Sequence, residues 1–425
     1  MALTRHTVAA RLAASVLVVA LGVLGCSACT GSGPEPSAAP SPAQLLVPGE
    51  QAAVKRAEAA VAVRLPKVPD QPAPTLPAGA FPRPLTAHEV VGFLPYWEVG
   101  DFTPDYADLT TLAYWSVSLA TGGSISRSGQ GWSTLASADL AFDVNAAHAA
   151  GDRVLLTVFS ESTSVIHSVS AHSVSAGRRL AETVAPLLSA GDFDGIDLDI
   201  EGDSTQDRAG FVRFVASFSR ALRSLDPDWS IMLDTYPTSA FDPLGFFDVK
   251  ALAPLVDELF VMAYDMQDPG IASATAPLFN ADLNDAMTLA EYASVVPARQ
   301  IVLGIPLYGY DFPSANRFDG AEATGNPVAV TYAEIVAAGH HPQWDPVTET
   351  PFTVFRRKGK WHQTWFDDPV SIALKSALAA QYHCAGVGVW DLGMSNGDPA
   401  LSAALLGGSP PVKLPLADAR AVAPR

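Results

Sequence analysis

Residues 193–202 read FDGIDLDIEG and carry four acids, Asp194, Asp197, Asp199 and Glu201. The last three alternate with Leu198 and Ile200, and Ile196 precedes them. In an extended strand alternate side chains share a face. Asp197, Asp199 and Glu201 therefore point together, and the aliphatic residues point the other way. Burying three ionised groups without partners would be very costly, so shared protons, hydrogen-bonding neighbours, a bound cation or water at an open cleft must compensate. Carboxylates this close do not all ionise easily, and at least one pKa must rise. A carboxyl group with a raised pKa is what a general acid needs near neutral pH. Glu201 stands nearest the C-terminal end of the strand and is assigned the acid. Asp194 differs in parity and is expected at the strand's entry, making local hydrogen bonds. Two other readings stay open. Acids at i, i+2 and i+4 could ligate Mg²⁺, although no His or phosphate-binding loop stands nearby in sequence. An exposed edge strand could simply solvate its charges, which suits poorly a strand with three aliphatic residues on its other face.

The elements that would hold such a strand can be read from the surrounding chain. From about residue 86, eight short apolar runs alternate with segments of helical periodicity: 89–97, 109–120, 153–160, 195–201, 230–237, 258–265, 301–310 and 386–393. ADLAFDVNAAHAAG, AGRRLAETVAPLLSAG, AGFVRFVASFSRALRSL and TLAEYASVVP supply the helical patterns between several of them. Strands alternating with helices imply parallel βαβ units, and eight of them fit a closed (β/α)8 TIM barrel. No G-x-G-x-x-G or phosphate-binding loop follows the first strand, which removes support from a nucleotide-binding fold. The gap before the eighth run is too long for one crossover. Within it, residues 350–368 suggest a β-hairpin turning near Lys358 and Gly359. Residues 312–367 are therefore expected to form a small β-rich insertion between strands 7 and 8, followed by a helix over DPVSIALKSALAAQYH. In a barrel the acidic face is the interior, and Glu201 lies at the end where barrel active sites are built.

The 425 residues carry a formal net charge of −18 and 16% charged residues. That balance disfavours sequence-independent nucleic-acid binding and a wholly disordered chain. Arg5 and Arg11, the apolar run from Leu12 to Gly25, and Cys26 make a signal-peptide pattern over residues 1–29. The stretch VLGC resembles a lipobox, which makes Cys26 the expected lipidation site, with Cys29 a second candidate. Membrane attachment is expected through that anchor alone. Residues 30–85 are rich in Pro, Ala and Ser and suggest an extended tether. The catalytic unit is placed at 86–408 and a tail at 409–425. Cys384 is the one cysteine beyond the export segment; it cannot form an intrachain disulfide with a mature-domain partner and is expected as a small buried hydrophobe. A cysteine-based metal cluster is excluded. The nine His form no catalytic pattern; His340 and His341 fall in the insertion and are expected at its surface. No cofactor is expected. No oligomer interface is legible, so a monomer is expected.

DGIDLDIE resembles the DGxDxDxE signature of glycoside hydrolase family 18, the chitinase-like enzymes. VVGFLPYW, FVMAYDM, LGIPLYGYDF and DDPVSIALKSALAAQYHCAGVGVWDLGM resemble other stretches of that family in the same order, and the resemblance covers residues 86–405. It implies that Glu201 is the proton donor to the glycosidic oxygen. It implies further that Asp199 orients the substrate's acetamido group, that Asp197 tunes Asp199, and that the Tyr264 hydroxyl steadies the acetamido oxygen. Asp265 would bind sugar, and Trp390 would form the floor beneath it. Trp97 and Tyr308 lie at or just beyond strand ends, where core packing is the ordinary role of an aromatic and sugar stacking the alternative. The family uses no carboxylate nucleophile; the substrate's own acetamido oxygen attacks, with retention. The implied partner is a β-1,4-linked N-acetylglucosamine polysaccharide, in chitin, peptidoglycan or N-glycans. One departure is visible. The family's S-x-G-G at the third strand is replaced by RVLLTVFSESTS, with Ser160 as the stand-in and the glycines missing, so the loop there must take another path. A non-catalytic glycan-binding protein on the same scaffold, and a structural protein of the envelope, are the alternatives.

Overall fold

The computed structural model describes residues 88–406 except Pro269 and Asn396. The export segment with Cys26, the 30–85 tether and the 409–425 tail lie outside the described residues. Eight parallel strands form the central sheet, numbered here in chain order with those of the insertion: β1 (Glu89–Pro95), β2 (Thr111–Ala120), β3 (Arg153–Ser160), β4 (Gly195–Ile200), β5 (Ser230–Thr235), β6 (Glu258–Val261), β7 (Ile301–Pro306) and, after the insertion, β13 (Gly386–Trp390). Each pairs in parallel with the next, β13 lies between β7 and β1, and β1 pairs with β2, so the sheet closes. The main helices are α1 (Ala138–Ala150), α2 (Thr163–Ala171), α3 (Ser173–Gly191), α4 (Thr205–Leu225), α5 (Asp285–Val295), α6 (Pro369–Gln381) and α7 (Pro399–Leu405). Two crossovers are less helical than a regular barrel requires. The β1–β2 link holds only a 3-10 turn at Tyr106–Asp108, and the β5–β6 link only Val249–Leu252 with one further turn.

Strand parity sorts the residues into two layers. Val91, Phe93, Ala113, Leu155, Met232, Phe260 and Val302 fill the barrel interior. Val90, Leu94, Leu112, Leu156, Ile196, Leu198 and Ile200 pack outward with Leu180, Val184, Phe214 and Phe218 of the helices. The narrow spacing between β4 and β5 explains Gly195: a Cβ there would lie 2.2 Å from the Ser230 carbonyl oxygen. At the N-terminal end the barrel is closed by ions. The Arg153 guanidinium reaches Glu89 and, at 3.0 Å, Glu258, while Thr111 donates to Glu89 at 2.8 Å.

The insertion is a five-stranded antiparallel sheet. It comprises β8 (Tyr308–Ser314), β9 (Val328–Thr331), β10 (Pro342–Asp345), β11 (Thr350–Arg357) and β12 (Lys360–Trp365), with a short helix at Tyr332–Ala338. The expected start at 312 is corrected to Tyr308, because Tyr308 and Tyr310 pair with Thr331 and Ala329 of β9 and do not extend barrel strand β7. The β11–β12 hairpin turns through Lys358 and Gly359, both at positive φ, as a two-residue turn between twisted strands demands. A buried cation ties this unit to the barrel. Lys375 of α6 donates to Asp285 at the start of α5 at 2.6 Å and to the Ala276 carbonyl, and lies 3.5 Å from Asp367 just beyond β12.

Asp194 precedes β4 and latches two elements. Its Oδ2 accepts the Val154 amide at 2.7 Å and contacts His148 Nε2 of α1 at 2.9 Å, and the other ring nitrogen of His148 lies 3.5 Å from Asp192. Burial opposes charge on His148, but the hydrogen bonds to Asp192 and Asp194 outweigh it and lift its pKa to about 9. The folded value lies above the unfolded one, so the stabilisation is complete below about pH 6.5 and is lost as pH rises through about 9. With allowance for the exposure of Asp192, the difference is on the order of 2 kcal/mol. Urea midpoints measured from pH 6 to 10 should fall more steeply for the wild type than for His148→Gln, and the two curves should converge at high pH.

Candidate active site

Asp197 and Asp199 point into the barrel from β4, and Glu201 follows at its C-terminal end. Asp197 is fully buried and Asp199 is 5% exposed, whereas Glu201 is part-exposed. The Glu201 amide donates to the Ser160 carbonyl at 2.8 Å, which holds the strand end against β3. Thr157, opposite Asp197 in the β3–β4 register, donates its hydroxyl to Asp197 Oδ2 at 2.9 Å. Thr157 supplies the hydroxyl to the acidic strand, and Ser160 sits three residues on, its Oγ accepting the Ser162 amide. The Phe159 ring packs 4.8 Å from that of Trp115.

Burial, followed by the neighbouring charge of Asp199, pushes the Asp197 carboxyl well above the carboxylate range. Burial likewise lifts Asp199, against the opposing effect of the Trp115 hydrogen bond. Glu201 is raised strongly, first by burial, then by Asp199, Glu161 and Asp265. A carboxyl at the mouth of the barrel that keeps its proton near neutrality can deliver it to an ether oxygen. Among the described residues no group of three or more His, Cys, Asp or Glu is arranged to hold a metal ion.

Trp390 ends β13, part-exposed, with its ring 5.7 Å from Phe93 and 5.1 Å from Trp115. Tyr264 and Asp265 follow β6. Asp265 adopts a left-handed backbone, φ 57°, and is exposed to the cleft. Its Oδ1 accepts hydrogen bonds of 2.9 Å from both Tyr308 and Tyr310, which leaves Oδ2 for a ligand hydroxyl. Tyr308, 8% exposed, thus acts on Asp265. Trp97 also stands back from the opening: it is 6% exposed and packs edge-on against Tyr96 and Trp115. Both aromatic side chains, read from sequence as candidates for sugar contact, are largely covered by neighbours.

Besides Thr157, three residues of this site went unread in the sequence. Trp115 of β2 donates its indole N–H to Asp199 Oδ2 at 2.9 Å. Asp234 of β5 is 3% exposed and lies within hydrogen-bonding reach of Asp197. Glu161, just past β3, lies near enough to raise both Asp199 and Glu201. Parity could have found the first two, since Ala113 and Trp115, and Met232 and Asp234, each share an inward face; Glu161 stands in the loop whose path the missing glycines alter.

A family model described as "Glycosyl hydrolases family 18" matches residues 89–395. Among curated proteins, the di-N-acetylchitobiase of Rattus norvegicus is 28% identical over 239 residues, 50% of this chain and 64% of its own. The cortical fragment-lytic enzyme of Bacillus anthracis is 25% identical over 211 residues, 47% of this chain and 46% of its own. The chain thus spans about half to two thirds of the length of these relatives. A chitinase of Cycas revoluta, solved in complex with (GlcNAc)3, shares the fold with a TM-score of 0.67 at 22% identity, over 75% of this chain and 99% of that one. With the family's acidic strand on the inner wall of a closed barrel and the family model matched from β1 to beyond β13, this chain belongs to glycosyl hydrolases family 18.

Proposed function

We propose that the protein hydrolyses β-1,4 bonds in N-acetylglucosamine polymers by substrate-assisted catalysis with retention of configuration. The observation that carries this reading is the pairing of part-exposed Glu201 with buried Asp199 on one inner face, with Tyr264 close to both and Trp390 packed against Trp115, the donor to Asp199. In the proposed reaction Glu201 gives its proton to the glycosidic oxygen as the C1–O bond breaks. The sugar's acetamido oxygen bonds to C1, forming an oxazolinium ion whose N–H faces Asp199. The Tyr264 hydroxyl steadies the acetamido oxygen. Water then attacks C1 while Glu201 takes its proton, and the ring opens to the retained product. Asp265 Oδ2 binds a hydroxyl of the same sugar.

Export and lipid attachment at Cys26 belong to the same reading, which places the enzyme on the outer face of the membrane, against wall or exogenous glycans. The test incubates the domain 86–408 with chitooligosaccharides and with purified peptidoglycan and identifies the products by mass spectrometry. Release of fragments ending in reducing N-acetylglucosamine supports the proposal. Binding of either polymer without bond cleavage would replace it with the lectin reading. In the full chain, Cys26→Ser should move the protein from the membrane to the soluble fraction; unchanged membrane retention would rule out that anchor.

A further inference from the structure

The acidic strand has a fourth inward carboxyl that its own sequence does not contain. In β5 Met232 lies opposite Asp197 of β4 and Leu233 opposite Leu198. Asp234, two residues after Met232, therefore faces inward beside the acids. It is 3% exposed and Asp197 is fully buried. Asp197 Oδ1 and Asp234 Oδ1 are sealed from solvent with no N–H or hydroxyl donor reaching either, while Asp197 Oδ2 takes the Thr157 hydroxyl. The two carboxyls lie side by side within hydrogen-bonding reach of each other. Such a contact between two acceptors exists only if one carries a proton. The titratable groups facing Asp234 are Asp197, Asp199 and Glu201 from β4 and the Tyr264 hydroxyl from beyond β6; every one is an acid. Two buried carboxylates in contact with no cation would not both stay ionised.

The geometry points to Asp234 as a positioning residue: it remains protonated and donates its proton to Asp197 as a fixed hydrogen bond. Burial, and then the charges of Asp197 and Asp199, raise Asp234 far above the carboxylate range, and the same hydrogen bond lowers Asp197, which agrees in direction. With the Thr157 hydroxyl, the Leu198 amide and the Asp234 proton directed at it, a negative charge on Asp197 costs far less than burial alone would make it. Asp199 need not then surrender its position to share a proton downward, and it stays available to the substrate's amide. This role rests on the hydrolytic reading of the same site, but the proton on Asp234 does not.

The test compares Asp234→Asn and Asp234→Leu in the intact chain. Asn keeps a donor towards Asp197 and cannot ionise, so its kcat should stay within about threefold of wild type. Leu removes the donor and should lower kcat by roughly tenfold to a hundredfold, the worth of a hydrogen bond to a charged group, with KM nearly unchanged. Without its donor the Asp197 anion is less stable, its pKa rises, and the acidic limb of the kcat profile should move to higher pH. Equal loss in both variants, or an unaltered acidic limb in Asp234→Leu, would overturn the inference. A second measurement needs no activity: the ¹³C carboxyl resonance of Asp234 should stay in its protonated position from pH 4 to 8. Titration of that resonance at an ordinary carboxyl value would overturn the inference even in an active enzyme, and its constancy would support it even if hydrolysis is never found.

Discussion

Glu201→Gln should bind chitooligosaccharides and hardly turn them over. The amide has the shape of the acid but no proton to give, and the loss of a positioned general acid costs about a hundredfold to ten-thousandfold in rate. Glu201 is part-exposed at the end of β4, and its backbone amide bond to Ser160 does not involve the side chain. The substitution therefore touches little packing, and the melting temperature should stay the same or rise, since a raised carboxyl removed from a cluster of acids relieves repulsion. Rates on unmodified chitooligosaccharides and dissociation constants by calorimetry separate the two effects. A substrate with an activated leaving group needs less help from the acid, so the variant should recover much of its rate there. Undiminished turnover of unactivated oligomers would remove Glu201 from the reaction, and with it the reason for three acids on one strand.

The parts of the site that could be read from the sequence were those whose neighbours lie within one strand. Asp197, Asp199 and Glu201 declare a common face through parity alone, because the period of two is fixed by backbone geometry. The closed barrel followed from eight alternating units, and the β11–β12 hairpin from a Lys-Gly pair between two β-prone runs. What stayed hidden depends on register between strands. Parity within β2 turns Trp115 inward, but which acid it reaches depends on the register between strands, including the shift between Tyr114 and Val117. Asp234 reads as one acid in an apolar run until β5 is set beside β4. Thr157 and Ser160 differ as hydroxyl donors only because Thr157 lies opposite Asp197. Trp97 and Tyr308 went the other way. Their positions at strand ends suggest contact with a ligand, and the packing of Trp115 on one and the hydrogen bond from the other to Asp265 appear only in the fold. The start of the insertion was misplaced for a similar reason, because the apolar run through Tyr310 continues past the residue at which the chain changes sheets.

Asp199→Asn should lower kcat by about a hundredfold to a thousandfold, the usual consequence of removing a preorganised group facing charge that develops in the transition state. In the proposed reaction the carboxylate accepts the N–H of the cyclising acetamido group and offsets the positive charge of the oxazolinium ion; an amide side chain offers a weaker acceptor and no charge. Its position is held by the Trp115 indole at 2.9 Å, which an Asn carbonyl oxygen can also accept, so the geometry should survive and the deficit should be electrostatic. The pH profile then carries a signature that simple damage would not. Glu201 must be protonated to act, and activity is lost as pH rises through its pKa. That pKa is lifted by burial first and by the charge of Asp199 second. Neutralising Asp199 removes the second cause, so the Glu201 pKa falls and the basic limb of the variant's profile moves to lower pH. A companion measurement uses oligomers de-N-acetylated at the sugar whose C1 is attacked. They lack the nucleophile, and neither wild type nor variant should cleave them at that bond. Cleavage of such a bond by the wild type, or release of product with inverted configuration on ¹H NMR, would show that an attacking group other than the acetamido oxygen is at work. Glu161 and Asp265 would then be the carboxylates to examine for it.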